Sequence, residues 1–299
     1  MRAKMTLWFL DILKPKSNVV VHIRGFRMKL DLDTYMGRLL FAYRQVYEQH
    51  ELDYLTSHLN KGDVCIDVGA NQGIYTLLMA QVVGNNGHVI AFEPAEHQYK
   101  HLAENLALNN RQNVIPVKAA LGSCVGTATL YHDKNDGGGA LQVPGNPTGS
   151  CERVTVTTLD GYCDRQGIES IDFIKVDVEG AELEFLRGAQ QSIFKSRPII
   201  LMEIGPDGLA RFNAASHDVM DFLARLKYTP FDLTDNMREI GPREEFSSVK
   251  NVLFVPNVSL NGTPDVKRRY PSLIPVRKSS PDDVSNKCLR PENAPEIRL

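Results

Sequence analysis

Two short runs of this chain hold most of the residues whose types and spacing could do chemistry. The first is Asp67-Val68-Gly69-Ala70-Asn71-Gln72-Gly73, which follows the apolar stretch Val64–Val68 and leads into the amphipathic stretch Ile74–Val83. A strand, a glycine-containing turn and a helix form the usual cradle for an adenosine-bearing ligand at the carboxyl edge of a parallel sheet. Gly69 and Gly73 let the backbone approach a ligand where a side chain would collide. Glu93 ends the next apolar stretch in Ala91-Phe92-Glu93-Pro94, where a carboxylate can accept hydrogen bonds from the vicinal hydroxyls of a ribose. Taken singly, Asp67 reads as a turn or capping carboxylate and Glu93 as a solvated strand-end acid. The two acids, the two glycines and the strand–helix–strand spacing read together as a ligand site. A dinucleotide site needs G-x-G-x-x-G, and Asn71 stands where its second glycine would be. Asp67 would repel a diphosphate and attract an ammonium and a sulfonium. That electrostatic preference points to S-adenosylmethionine rather than NAD.

The second run is Lys175-Val176-Asp177-Val178-Glu179-Gly180-Ala181-Glu182. Lys175 falls within an apolar stretch expected to form a central strand, where an unpaired ammonium is costly. Residues two apart in a strand point the same way, so Asp177 or an acid from a neighbouring strand is its expected partner. Glu203, in Leu201-Met202-Glu203-Ile204, ends the next strand. Asp177, Glu179 and Glu203 are therefore candidate catalytic residues beside the donor. They offer either general-base removal of a hydroxyl proton or an oxygen cluster for a divalent cation such as Mg²⁺, and no metal ligands are assigned between these readings. Glu182 and Glu184 fall in the first turn of the next helix, where acids favour the macrodipole.

The elements that must position these residues follow from periodicity. Val64–Val68, Val89–Phe92, Val114–Val117, Ile171–Val176, Ile199–Ile204 and Val252–Val255 read as strands. Ile74–Val83, Gln98–Asn109, Ala181–Phe194 and His217–Leu226 read as the helices between them. Strands that are apolar throughout and spaced by helices predict a parallel sheet covered on both faces. Ahead of them, Asn18–Arg24 and Arg27–Leu32, separated by Gly25-Phe26, predict a hairpin, and Tyr35 to Leu59 shows helical spacing. Gly126–His132 and Arg153–Leu159 alternate like antiparallel strands, and the Gly- and Pro-rich loop between them reads as a substrate lid or a hairpin tip. The expected organisation is an N-terminal hairpin and helical extension over residues 1–60, a catalytic domain over 61–256 and a disordered tail over 257–299.

Composition excludes several classes. Of 299 residues, 42% are hydrophobic and 23% charged, a globular balance, and 34 Lys plus Arg against 36 Asp plus Glu leave a net charge of −2. A phosphate backbone demands a basic face, so no nucleic-acid partner is expected. Amine methylation of nucleic acid would also favour an Asn/Asp-Pro-Pro-aromatic run where Asp177-Val178-Glu179-Gly180 stands. The apolar run Leu7–Leu13 is too short to span a bilayer and reads as a short helix, so no transmembrane segment is expected. Five cysteines without a CxxC pair indicate neither a zinc site nor a disulfide framework, and a reducing, cytoplasmic setting is the default. His97 reads as a solvated helix-start residue, with the adenine or acceptor side as its alternative; His22 and His132 reach an acceptor pocket only if the hairpins fold over it; His50, His58 and His101 read as surface residues. Oligomeric state is not readable.

On these residues the chain resembles the FkbM family of S-adenosylmethionine-dependent methyltransferases. The likeness runs from about Gly62 to Pro230, through the Asp67–Gly73 turn, Phe92-Glu93-Pro94, Asn105-Leu106-Ala107-Leu108-Asn109, Ala119-Ala120-Leu121-Gly122, Thr158-Leu159-Asp160 and Lys175–Glu182. The resemblance implies an α/β, class I (Rossmann-like) methyltransferase fold: a seven-stranded, mostly parallel sheet with helices on both faces, here with an N-terminal hairpin and an inserted β-hairpin. It implies O-methylation of a hydroxyl on a sugar, glycolipid or secondary metabolite. Carried onto this chain, Asp67, Gly69, Ala70, Asn71 and Gly73 would cradle the methionine end of the donor, and Glu93 would bind its ribose. Ala120 would lie against the adenine, Asp177 and Glu179 near the methyl, and Glu48 at the polar end. The rival expectations are an NAD-dependent oxidoreductase and a catalytically silent scaffold that keeps the fold.

Overall fold

The computed structural model describes residues 18–43, 47–132, 139–140, 150–241, 244 and 246–257, all within one compact unit. The expected helix at Leu7–Leu13, most of the loop before Cys151 and the tail after Asn257 lie outside the described residues.

The central sheet is built around five parallel strands: β5 (Val114–Val117), β4 (His88–Phe92), β3 (Val64–Val68), β10 (Phe173–Val176) and β11 (Ile199–Ile204). Beyond β11 come β14 (Lys250–Pro256), antiparallel to it, then β12 (Tyr228–Asp232) and β13 (Arg238–Glu239). The sheet thus has eight strands rather than the expected seven. The additional one, β13, is two exposed charged residues on the edge, too short and too polar to leave a hydrophobic pattern. Strand β12 was not among the expected strands because Pro230 interrupts its apolar run. In the sheet Pro230 pairs with Phe254, and its carbonyl accepts the Ile240 N–H.

Alternation decides what each face of the sheet carries. Ile66, Val68, Ile90, Phe92, Ile174, Val176, Ile200, Met202, Val252 and Phe254 point into one apolar core. It is closed by α5 (Leu159–Gln166), α6 (Glu182–Gly188), α7 (Gln190–Ser196) and α9 (Ser216–Arg225). Asp67, Lys175 and Glu203 occupy the intervening positions and so share the opposite face. Helices α6 and α7 replace the single helix expected over Ala181–Phe194. The break falls at Gly188-Ala189, where a Cβ on Gly188 would collide with the Gly122 carbonyl.

The opposite face is covered by α3 (Ile74–Val83) and by the N-terminal elements β1 (Asn18–Ile23), β2 (Phe26–Asp31), α1 (Tyr35–Tyr43) and α2 (Gln49–His58). The hairpin turns at Arg24-Gly25, both with positive φ, so Phe26 already belongs to β2. The helical stretch expected from Tyr35 to Leu59 is divided, with Glu48 left-handed at φ 39° just before α2. A second sheet, β6 (Ala120–Leu121), β9 (Cys151–Thr157), β7 (Gly126–His132) and β8 (Gly139–Ala140), contains the expected antiparallel insert.

The hairpin is fastened to α4 (Glu96–Leu108) by two side-chain amides. Asn105 accepts the Lys29 N–H at 2.7 Å and donates to the carbonyls of Lys29 and Gln72. Asn109, just past the helix, accepts the Arg27 N–H at 2.8 Å and donates to the Arg27 carbonyl. Two asparagines four apart thus act as a substitute edge strand for β2. Asn105→Ala, at a fully buried position, leaves three backbone groups without this partner and is expected to cost about 2–3 kcal/mol in urea unfolding. An unchanged midpoint would mean that the amide contributes nothing to holding the hairpin.

Candidate active site

The loops after β3, β4, β5 and β10 meet at the carboxyl edge of the sheet, where ligands bind in open α/β folds. They stay fastened to one another. The N–H groups of Gly69 and Ala70 both donate to the Phe92 carbonyl, and the Asp177 N–H donates to Val68. Glu93, buried, accepts the Asn71 N–H at 2.8 Å on one carboxylate oxygen and the Ala95 N–H at 2.9 Å on the other. The acid after β4 therefore fixes the turn after β3, with Asn71 left-handed at φ 49°.

Two cavities flank this turn. The first has an apolar wall of Val68, Phe92, Ala119, Ala120, Leu121 and Leu130, and polar residues Asn71, Glu93, Gln98, Asp177 and Glu179. The second is lined by Asp67, Gly69, Ala70, Asn71, Tyr75, Lys175 and Asp177 from the sheet side, and by Met28, Met36, Leu40 and Tyr47 from the N-terminal elements. Gly69, Asn71, Asp177 and Met36 border both. Gly73 borders neither; a Cβ there would meet Leu102 of α4. The Asn71 side-chain oxygen is buried without a hydrogen-bond partner beside the two cavities, an acceptor waiting for a donor.

Charge at the site is organised by Lys175, which is 1% exposed. Its Nζ lies 3.7 Å from Asp177 Oδ2 and 3.5 Å from Asn251 Oδ1, and stands 5.0 Å from the centre of the Tyr75 ring. Burial pulls its pKa down, but Asp177, Glu48, Glu203 and Asp67 more than offset this and hold it above the ordinary lysine value. Burial pushes the acids up: Asp67 to about 6, Glu93 to about 7 and Glu203 to about 8, the last also raised by Asp177. Asp67 faces Lys175 across the β3–β10 register and takes a hydrogen bond from the Thr76 hydroxyl. Glu48 accepts the Tyr75 hydroxyl at 2.6 Å, and burial raises its pKa.

Carboxylate oxygens of Asp177, Glu179 and Glu203 lie within 4.8 Å of one another. Glu179 is left-handed at φ 54°, and a Cβ on the next residue, Gly180, would collide with Gly208 of α8 (Pro206–Ala210). The loop after β10 is thus held in an unusual conformation by packing beneath it.

A profile described as the methyltransferase FkbM domain matches residues 67–230, more than half of the chain. The chain belongs to the FkbM methyltransferase family. It is 30% identical over 241 residues to the methyltransferase sdnD of Sordaria araneosa, covering 70% of this chain and 88% of that one. It is 26% identical over 159 residues to the 2-O-methyltransferase NoeI of Sinorhizobium fredii, covering 48% of this chain and 64% of that one. It is 29% identical over 161 residues to the hexuronic acid methyltransferase AglP of Haloferax volcanii, covering 52% and 62%. For NoeI and AglP the aligned part is a little under two thirds of their length.

This FkbM methyltransferase uses S-adenosylmethionine as donor, and its residues fit that group. An orphan acceptor on Asn71, a carboxylate on Glu93 and an apolar wall ending in Leu130 suit an ammonium, a ribose and an adenine. Asp67 is largely answered by Lys175 and Thr76, so its charge alone does not decide against a diphosphate. The cavity linings as a whole do, with four acids (Asp67, Glu93, Asp177, Glu179) and one lysine.

Sequence reasoning did not find Tyr75, Thr76, Tyr47 or Met36, because each reaches the site from a helix or connector that periodicity describes only as amphipathic. Leu130 belongs to the inserted sheet and carries no motif.

Among the described residues, five carboxyls have folded pKa values above their ordinary ones: Glu48, Asp67, Glu93, Glu203 and Glu182, the last raised by burial to about 7. A raised carboxyl contributes stability that is complete at low pH and is lost as pH climbs through the folded value. The ligand-free chain is therefore expected to unfold at lower urea at about pH 8 than at about pH 5. Lys175→Met strips the ammonium from its acids and should cost about 3–5 kcal/mol near neutral pH, with a smaller loss at about pH 5 where the acids protonate. A pH-independent loss in that variant would show that the acids do not depend on Lys175.

Proposed function

We propose that this methyltransferase transfers a methyl group to a hydroxyl oxygen of a sugar, glycolipid or secondary metabolite. The observation that carries this reading is the group of Asp177, Glu179 and Glu203 at the edge of the donor cavities, next to a buried ammonium. The names of NoeI and AglP, which specify a 2-O position and a hexuronic acid, support the same acceptor class.

When bound, S-adenosylmethionine supplies an electrophilic methyl group on a sulfonium. Glu93 would accept the ribose hydroxyls with the lone pairs that its two backbone donors leave free. Ala119, Ala120, Leu121 and Leu130 would exclude water from the adenine. The Asn71 side-chain oxygen and the acids of the second cavity would receive the methionine ammonium. A carboxylate of the Asp177–Glu179–Glu203 group removes the acceptor hydroxyl proton. Glu203, raised to about 8, matches the working range of a general base near neutral pH. A divalent cation on the same three oxygens is the second reading. Lys175, 3.7 Å from Asp177, already brings positive charge there and favours proton removal. Activity that survives EDTA would retire the cation.

Calorimetric titration with S-adenosylhomocysteine, with NADH in parallel, tests the donor assignment. Glu93→Gln is expected to weaken S-adenosylhomocysteine binding by roughly 1.5–3 kcal/mol, about tenfold or more. Unchanged affinity would remove Glu93 from the ribose site, and binding of NADH instead would restore the oxidoreductase.

Methyl transfer to a panel of hydroxylated glycans and polyketides tests the acceptor. Asp177→Asn should lower kcat by about a hundredfold or more, with a much smaller change in donor affinity. Equal loss of both would assign Asp177 to the donor. Donor binding without transfer to any acceptor in the panel would favour the silent scaffold.

A further inference from the structure

A second cluster lies away from the acid–lysine group, where β2 ends beside the first turns of α4. Asp31 Oδ2 is 3.4 Å from His97 Nε2 and 3.8 Å from His101 Nε2, and the three candidate ligand atoms lie within 4.8 Å of one another. We propose that Asp31, His97 and His101 form a binding site for one zinc-class divalent transition-metal ion.

The side-chain chemistry suits such an ion. Two imidazoles and a carboxylate are borderline donors that favour Zn²⁺ and its neighbours over Mg²⁺ or Ca²⁺. Ligand atoms 2.0–2.1 Å from a tetrahedral ion stand about 3.3 Å apart, close to the Asp31–His97 separation and within a small side-chain adjustment of the Asp31–His101 one. These separations are those of charge contacts rather than short hydrogen bonds, and the two rings meet edge to face with centres 4.7 Å apart. One carboxylate oxygen faces both rings, while the other is held by the Asp33 N–H at 2.9 Å. The carboxylate is thereby oriented by backbone before any ion arrives.

His101 supplies an independent observation. It is 8% exposed, its Nδ1 is buried without a hydrogen-bond partner, and its Nε2 has the distant Asp31 oxygen as its charged neighbour. A buried ring nitrogen without a partner is costly, and an ion held by the ring would offset part of that cost. His97, about half exposed, leaves an entry path and room for water as a fourth ligand.

The sequence pattern agrees with the placement. His97, His101, Asn105 and Asn109 recur every four residues along one face of α4, opposite Asp31, Lys29 and Arg27, which recur every two along β2. The two asparagines hydrogen-bond β2 at Arg27 and Lys29. The ion would hold the end of β2, at Asp31, to the first turns of α4, where Ala95 and Gln98 lie on the wall of the donor cavity.

The test uses the full chain stripped of metal and titrated with Co²⁺, read by its visible d–d absorption and by displacement with Zn²⁺. One equivalent is expected, with a nitrogen–oxygen spectrum and no thiolate charge-transfer band. His97→Gln and Asp31→Asn, both at partly exposed positions, should each weaken binding at least tenfold, whereas Asp177→Asn should leave it unchanged. Zn²⁺ should raise the Tm of the unsubstituted chain and not that of His97→Gln. A thiolate spectrum, binding unaffected by either substitution, binding lost instead in Asp177→Asn, or no binding at all would each overturn the site. None of these readouts involves the methyl donor, so failure here leaves the methyltransferase reading untouched.

Discussion

The constraint on which the active edge depends is a single ammonium in the middle of a parallel sheet. Lys175 is almost completely buried, and a lone charge there would be expelled or neutralised. It remains charged because Asp67, Asp177, Glu203 and Glu48 converge on it from β3, the end of β10, β11 and the connector before α2. The dependence is mutual. Without the lysine these acids would repel one another at close range in a medium of low polarisability. One buried cation thus offsets part of the cost of burying this many acids together, although burial still holds their pKa values above the ordinary range. The surplus of acid over base is what remains available for a cationic donor.

Backbone rigidity supplies the second requirement. Gly69 is needed less for a ligand than for Asp177, whose carbonyl lies where a side chain on residue 69 would project. Gly180 is needed for the approach of Gly208, and Glu93 spends two hydrogen bonds on the turn that carries Asn71. The loops after three strands are therefore locked to one another before any ligand arrives. Preorganised dipoles and charges of this kind lose little on binding, whereas mobile loops would lose ordering entropy.

Legibility in the sequence followed the range of each interaction. Strands β3, β4, β5 and β11 and helices α3 and α9 were readable because their apolar pattern is local and uninterrupted. Strand β12 was obscured by Pro230, β13 by its two-residue length, and the α6–α7 break by a contact with Gly122 some 66 residues away in sequence. At the site, Asp67, Glu93, Asp177 and Glu203 stood out because strand-end acids beside glycine turns are a local motif. The network that tunes them was not readable, since Tyr75, Thr76 and Glu48 reach Lys175 or Asp67 only through the sheet register and the fold of the N-terminal segment. His97 and His101 read in the sequence only as solvated helical residues, because Asp31, which meets them both, lies 66 residues before His97 on a different element.

The N-terminal hairpin and helices, which sequence pattern alone sets apart from the methyltransferase core, supply Met28, Met36, Leu40 and Tyr47 to the cavity that holds Asp67 and Lys175. Those residues are what keep water from the buried charges. Burial is the first cause of the raised values at Tyr47, Glu48 and Asp67. The acid–base properties of the site are therefore set jointly by the sheet, which brings most of the charges, and by the N-terminal elements, which bury them. Whatever fastens β2 to α4, whether the amides of Asn105 and Asn109 or an ion at Asp31, acts on the dielectric around Lys175 as well as on stability. Loosening that attachment would admit water, bring the carboxyl pKa values back toward their ordinary range and weaken the hold on a cationic donor, with every residue of the catalytic edge still in place.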